Sequence, residues 1–283
     1  KVSKPGETLK LISAQDLQGA DLPPTKYLIK DILPQGTSIL TAASKIGKSW
    51  LVLDMGLSIA TGKNFFGKQT EQASVLYLAL EDRLKRLQDR INKILNNNPA
   101  PANLHLLIDS PNLDNGLLQY LDEILKQYSD IKLIIIDTLQ KIRGQALPRE
   151  NAYQQDYREM GLLKQFADKH KISILLVHHN RKLVDEDDPF NMISGTNGIM
   201  GAADSIYLIR KKSRNDENAT LHITGRDVLQ SNMVIRFNKD TCRWENIGGE
   251  EDIERQEYES NPIVKTIQKL VKDNPVIGWK GTA

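Results

Sequence analysis

Residues 36–61, GTSILTAASKIGKSWLVLDMGLSIAT, constrain the fold more than any other stretch. Apolar Ser38–Thr41 predicts a short buried strand, and the helical spacing of apolar residues over Trp50–Ala60 predicts a helix. The loop between them ends in Gly47-Lys48-Ser49. Such a loop wraps backbone N–H groups around an anion that the positive helix N-terminus also faces, so the stretch predicts a cradle for a nucleotide triphosphate. Its expected contacts are Ala43, Ser44, Lys45, Ile46, Gly47, Lys48, Ser49 and Trp50. Lys48 is expected to reach the β- and γ-phosphates and the Ser49 hydroxyl to ligate Mg2+. The pattern departs from G-x-x-x-x-G-K-S/T at one place, since Ala42 stands where the first Gly belongs. Ala tolerates positive φ poorly, so the loop must start in a conformation that any L-residue accepts. The bland alternative is a chance Gly-Lys-Ser at a helix start.

The rest of the chain repeats the strand–helix rhythm that builds a parallel α/β sheet. Further strands are predicted at Ser74–Leu80, Leu104–Ile108, Leu133–Ile136 and Ile172–Val177, with helices at Leu84–Leu95, Leu117–Gln127 and Tyr153–Lys169. After Ser194 the rhythm changes. Ser205–Ile209, Thr220–Thr224, Met233–Phe237 and Cys242–Ile247 are separated only by turns, and should add antiparallel strands to the sheet. Residues 1–35 read as an extended N-terminal arm with Tyr27–Leu33 docking on the core, and 36–248 as the core itself. Residues 249–262 lack an apolar face and suit a charged linker. Residues 263–283, with a short amphipathic helix at Ile263–Val271, read as the start of a truncated helical domain, a winged helix being one candidate.

Composition excludes several classes. Among 283 residues the net charge is only +2, so any nucleic-acid contact must be a local patch. A single cysteine, Cys242, excludes an intrachain disulfide framework and a cysteine-based zinc site. No apolar run approaches the roughly 20 residues needed to span a bilayer. No signal peptide is evident; the chain begins at Lys1 without Met and reads as a fragment of a cytoplasmic protein.

Ligands of open α/β sheets bind beyond the carboxyl ends of the strands. Three polar positions follow directly on apolar strands: Glu81 after VLYLAL, Asp137 after LIII, and His178-His179 after ISILLV. Asp137 is placed to hold the hydration shell of Mg2+; the alternative is a plain strand-end turn. Glu81 is placed to orient or deprotonate an attacking water, with Asp82 left to cap the helix that follows. Adjacent residues on a strand point to opposite faces, so one histidine should read the γ-phosphate while the other packs or binds a neighbour. The pair lacks a third ligand at metal spacing. A purely structural pair is the alternative.

Taken in order, TAASKIGKSW, VLYLALED with RLQDRI, LIIIDTLQKI, LLVHHNRK and ISGTNGIMGAADSIYLIR resemble the RecA-fold ATPases, and more narrowly the RepA-type hexameric replicative helicases of plasmids and phages. The likeness covers roughly residues 10–248 and resides in the ordered set, each motif alone being weak. It implies an α/β RecA-like core with ATP and Mg2+ at Lys48 and Ser49. It further implies Glu81 as catalytic base, Asp137 as the second acidic element and His179 as the γ-phosphate sensor. In such rings an arginine of a neighbouring subunit completes the site. Arg226 in HITGRDV is the candidate, although Thr224 stands where many ring helicases carry a lysine; Arg210, Lys211 or Arg236 are the alternatives.

Two long segments, 138–151 and 181–201, lie between strands on the functional rim, and loops of this length tend to be functional. The resemblance implies that they line a central pore and track single-stranded DNA, with Lys141, Arg143, Arg181 and Lys182 as candidate phosphate contacts. Asp185–Asp188 opposes that locally, and Phe190 is the only aromatic in either segment. Solvated loops that order at a subunit interface are the alternative. The expected function is an ATP-hydrolysing motor in a homo-oligomeric ring, a replicative helicase of a mobile element. The rival is an ATP-gated DNA-binding or assembly regulator that unwinds nothing; a small-molecule kinase is disfavoured by the lack of an acceptor lid.

Overall fold

The computed structural model describes residues 11–180, 189–195, 197–211, 213, 216–249, 258 and 261–273. Nine strands among them form one sheet. At its centre lies β3 (Gly36–Ala42), buried along its whole length. On one side follow β7 (Ser173–His179), β6 (Ile131–Asp137), β4 (Ser74–Ala79) and β5 (Leu104–Leu107), all parallel. Strands covered on both faces read as near-continuous apolar runs, which is why LIII and SILLV carry no alternation. On the other side lies β8 (Ser205–Arg210), followed by antiparallel β9 (Asn218–Gly225), β10 (Ser231–Asn238) and β11 (Arg243–Gly248). β8 itself pairs parallel with β3, so the antiparallel extension begins one strand later than the turn spacing suggests.

Helices cover both faces. α2 (Lys48–Thr61) lies over one face and is buried almost all round from Leu51 to Ala60. A Cβ on Gly56 would meet Ile135 at 3.3 Å, so glycine lets the helix approach the sheet closely. α3 (Leu84–Leu95) packs on the same side and ends at Asn96 in the left-handed region. The opposite face carries α4 (Leu117–Gln127), α6 (Ala152–His170) and α7 (Asn197–Ala202), with α5 (Leu139–Ile142) as one turn beyond β6. α6 begins with a reciprocal cap between Asn151 and Gln154.

The arm contributes α1 (Ala14–Gly19), exposed throughout, and a small hairpin of β1 (Tyr27–Ile29) and β2 (Leu33–Pro34). Leu28, Ile29, Ile32 and Leu33 are buried in the core on the α2 side. Beyond the sheet stands α8 (Pro262–Asp273). Residues 1–10, most of the expected linker and residues 274–283 lie outside the described residues. Among those described, no helix is long and apolar enough to cross a membrane.

Candidate functional site

Strand parity decides which side chains meet. In β4, β6 and β7 the odd-numbered apolar residues Val75, Tyr77, Leu133, Ile135, Leu175 and Val177 belong to the core under α2; Leu76, Leu78, Ile134, Ile136, Ile174 and Leu176 belong to the core under α4 and α6. Extending that alternation to the strand ends puts Asp137 and His179 on the α2 side, beside the phosphate loop, and His178 on the other.

The contacts follow. Lys48 opens α2 and is 6% exposed. Its Nζ donates to the carbonyls of Ala42 (2.9 Å) and Ala43 (3.1 Å) and lies 3.3 Å from Nδ1 of His179. Burial lowers its pKa to about 8 against the opposing pull of Asp137 and Glu81. Asp137 is buried and accepts hydrogen bonds from the Tyr77 hydroxyl (3.0 Å) and the Ser49 side chain; burial raises its pKa while both hydrogen bonds oppose the rise. Glu81 is exposed just past β4 and accepts from the Thr138 hydroxyl at 3.2 Å. Lys48, Ser49, Glu81, Asp137 and His179 therefore share one rim.

The loop resolves the Ala42 question as an L-residue requires. Ala42 is the last residue of β3, and the positive φ values fall at Lys45 (66°) and Gly47 (107°). Gly47 is doubly constrained, because a Cβ there would also meet Nε1 of Trp244 at 3.3 Å. That indole donates to the Gly47 carbonyl at 3.2 Å, and Lys211 lies 5.8 Å from the ring centroid. Phe237 joins Trp244 (5.5 Å between rings) to Trp50 (6.1 Å), and Arg90 sits 5.4 Å from the Trp50 centroid. This aromatic wall beside the loop, with Arg90 and Lys211 at its edges, is not visible in any sequence motif, since Trp244 and Gly47 are 197 positions apart.

Several sequence expectations change. Asp82 does not cap α3, whose N-cap is Arg83 without a side-chain cap bond. It pairs instead with Arg86 (3.0 Å) and with Arg90, and so steadies the cation on Trp50. Arg143 is not a free phosphate contact. It is 16% exposed and clamped between Asp156 (2.6 Å) and Glu159 (2.7 Å) of α6. His178 packs on the α6 side, its Nε2 3.0 Å from the Ser194 carbonyl, and burial lowers its pKa. Arg181, Lys182 and the Asp185–Asp188 run lie outside the described residues. Arg226 follows β9 at the edge opposite the phosphate loop, where Asp204 meets both Thr37 and Arg226; its guanidinium is 3.3 Å from Asp204 and donates to the Gly201 carbonyl at 3.1 Å. Lys141 and Arg149 are exposed.

A parallel sheet closed on one side by antiparallel strands, with a phosphate loop at the end of its central strand, defines the RecA-like class of P-loop ATPase domains. Two of the solved structures similar to this chain illustrate it. One, an ATPase domain, superposes with a TM-score of 0.59 at 12% identity, over 75% of this chain and 85% of that one. The other, the KaiC-like protein PH0186 from the hyperthermophilic archaeon Pyrococcus horikoshii OT3, gives 0.54 at 12% identity, over 77% and 97%. A family model described as an AAA domain matches residues 4–185, and the chain belongs to that family. No curated protein matches it by sequence.

Proposed function

We propose that this chain is an ATP-hydrolysing motor that works as a homo-oligomeric ring, a hexamer, on single-stranded DNA as a replicative helicase of a mobile element. The observation that carries the nucleotide chemistry is the single cluster formed by Lys48, Ser49, Glu81, Asp137 and His179. The donor set suits a triphosphate with Mg2+: a buried ammonium on loop carbonyls, a hydroxyl beside a buried carboxylate, and a second carboxylate free toward solvent. Ser49 and Asp137 would hold the ion, which when bound neutralises charge across the phosphate oxygens. Among the described residues no cluster of three or more His, Cys, Asp or Glu could hold a metal, so its remaining ligands would come from phosphate and water.

In this reading Lys48 leaves the loop carbonyls for the β- and γ-phosphates, and Glu81 orients or deprotonates the attacking water. His179 hydrogen-bonds the γ-phosphate. Its neighbour His178 holds the Ser194 carbonyl, which begins to explain how a phosphate event would reach the 181–201 segment. Arg226 cannot serve its own site from the opposite rim, so it would act on the next copy. Its guanidinium is 59% exposed, and Lys164 also pairs with Asp204, so the buried carboxylate keeps a counter-charge when Arg226 leaves. The helicase role rests on the ordered motif set, and neither structural relative extends to it.

Replacing Glu81 by Gln should preserve ATP binding and lower hydrolysis by about 10² or more, the scale of a positioned base. Equal turnover would make Glu81 structural. ATPase stimulation by single-stranded DNA together with strand displacement distinguishes the motor; sequence-specific duplex binding indifferent to that substitution identifies the regulator.

A further inference from the structure

The 138–151 segment holds no aromatic residue, yet the helix it enters presents two. Tyr153 and Tyr157 sit one turn apart on α6, 50% and 56% exposed, with ring centroids 6.2 Å apart and planes inclined by only 14°. Residues at i and i+4 are neighbours on one helix face, and these two aromatics face outward together. One turn further, a Cβ on Gly161 would meet nothing within 4 Å, so the stack's far side stays open. Among the described residues no hydrogen bond engages either phenol.

Ion pairing takes up the carboxylates of α6 near the rings and, among the described residues, leaves two cations of the segment without a partner of their own. Asp156 and Glu159 are occupied by Arg143, and Glu150 by Arg158 at 2.8 Å. Lys141 and Arg149, both exposed, have no ion pair among the described residues. The position is also fixed. Arg143 bolts the start of the segment to the first turns of α6, the Asn151–Gln154 cap closes its end, and Gly195 of the second long segment approaches Asp156 so closely that a Cβ would stand 3.2 Å from its carboxylate. The tyrosine pair therefore stands on a rigid helix beside both rim segments.

We infer that Tyr153 and Tyr157 form a stacking platform for bases of single-stranded nucleic acid, with Lys141 and Arg149 meeting its phosphates. Aromatic faces stack on every base without sequence preference, and unpaired cations beside them complement the backbone. The inference rests on the nucleic-acid reading of the preceding section and adds to it the side chains that grip the bases.

The test is fluorescence anisotropy of labelled oligo-dT with the full chain, Mg2+ and a non-hydrolysable ATP analogue. Tyr153→Ala and Tyr157→Ala should each weaken binding about tenfold or more, whereas Tyr→Phe at the same positions should stay near wild type, since stacking survives loss of the hydroxyl. In the unsubstituted protein, photocrosslinking of 5-iodouracil-substituted oligo-dT should map to these two residues, a readout independent of how the variants fold. Wild-type binding with unaltered affinity in both alanine variants and crosslinks elsewhere would overturn the platform and leave the DNA reading standing. Failure of wild type to bind any oligonucleotide would overturn both. A fall in solution mass in the alanine variants, restored by phenylalanine, with oligo-dT affinity per copy unchanged, would make the pair a contact between copies and overturn the proposal.

Discussion

Raising the pH should detach the nucleotide by discharging Lys48. Its ammonium is buried, and its pKa in the free site is lowered to about 8. A bound triphosphate favours the charged form, so binding must raise that pKa and take up protons. The sign is therefore fixed: affinity is nearly full at pH 7 and declines as the pH rises through about 8. If the bound lysine stays charged throughout, the charged fraction of the free site falls from ~0.9 at pH 7 to ~0.1 at pH 9, and affinity falls about tenfold. At pH 8 each binding event should take up roughly half a proton. Titration calorimetry in two buffers of different ionisation enthalpy measures both quantities, and ATP itself is already fully ionised there. Lys48→Arg, which cannot titrate in this range, should lose the slope whatever its affinity. An affinity flat from pH 7 to 9, with no proton uptake, would refute the placement of Lys48 on the phosphates.

Other expectations concern the frame around the site. Arg143→Ala leaves Asp156 and Glu159 buried without a counter-charge and should cost about 3–5 kcal/mol in denaturant unfolding, whereas exposed Lys141→Ala should stay within about 0.5 kcal/mol. Equal effects would return Arg143 to the surface. Burial raises Asp54 to about 6 despite Arg243 at 3.4 Å. A carboxyl raised in the folded state opposes folding above that pH and is relieved below it, so wild type should gain roughly 1–3 kcal/mol over Asp54→Asn between pH 7.5 and 4. A parallel pH profile for the two proteins would contradict this. Mixing Arg226→Ala with Lys48→Ala subunits should restore part of the ATPase activity, and a ring with Arg226 remote from every neighbouring nucleotide would reject its role in trans.

Much of the frame was legible because it is periodic. Leu84–Leu95 and Leu117–Gln127 form helices with those bounds, and the strands carrying LIII and SILLV extend only a residue or two beyond their apolar runs. The same period of two, continued through VHH, separates His179 from His178 before any coordinate is known. What escaped was set by contacts remote in sequence. Nothing in CRWEN announces that Trp244 will lie against Gly47. Arg143 reads as a loop cation until Asp156 and Glu159 arrive on the next helix to enclose it. Asp82 looks like a cap because it precedes a helix, but Arg86 and Arg90 follow at one- and two-turn spacing and take it first. The tyrosine pair escapes a reading of the loops because it begins two positions past Asn151, on a helix whose aromatics would ordinarily turn inward.

The account is tested most directly by a crystal structure of the chain with Mg2+ and a non-hydrolysable ATP analogue. It predicts the triphosphate along the 43–49 backbone, with the Lys48 ammonium and the His179 ring on its terminal phosphate and the Glu81 carboxylate facing the in-line water. A nucleotide seated elsewhere, or phosphates out of reach of those three side chains, contradicts it.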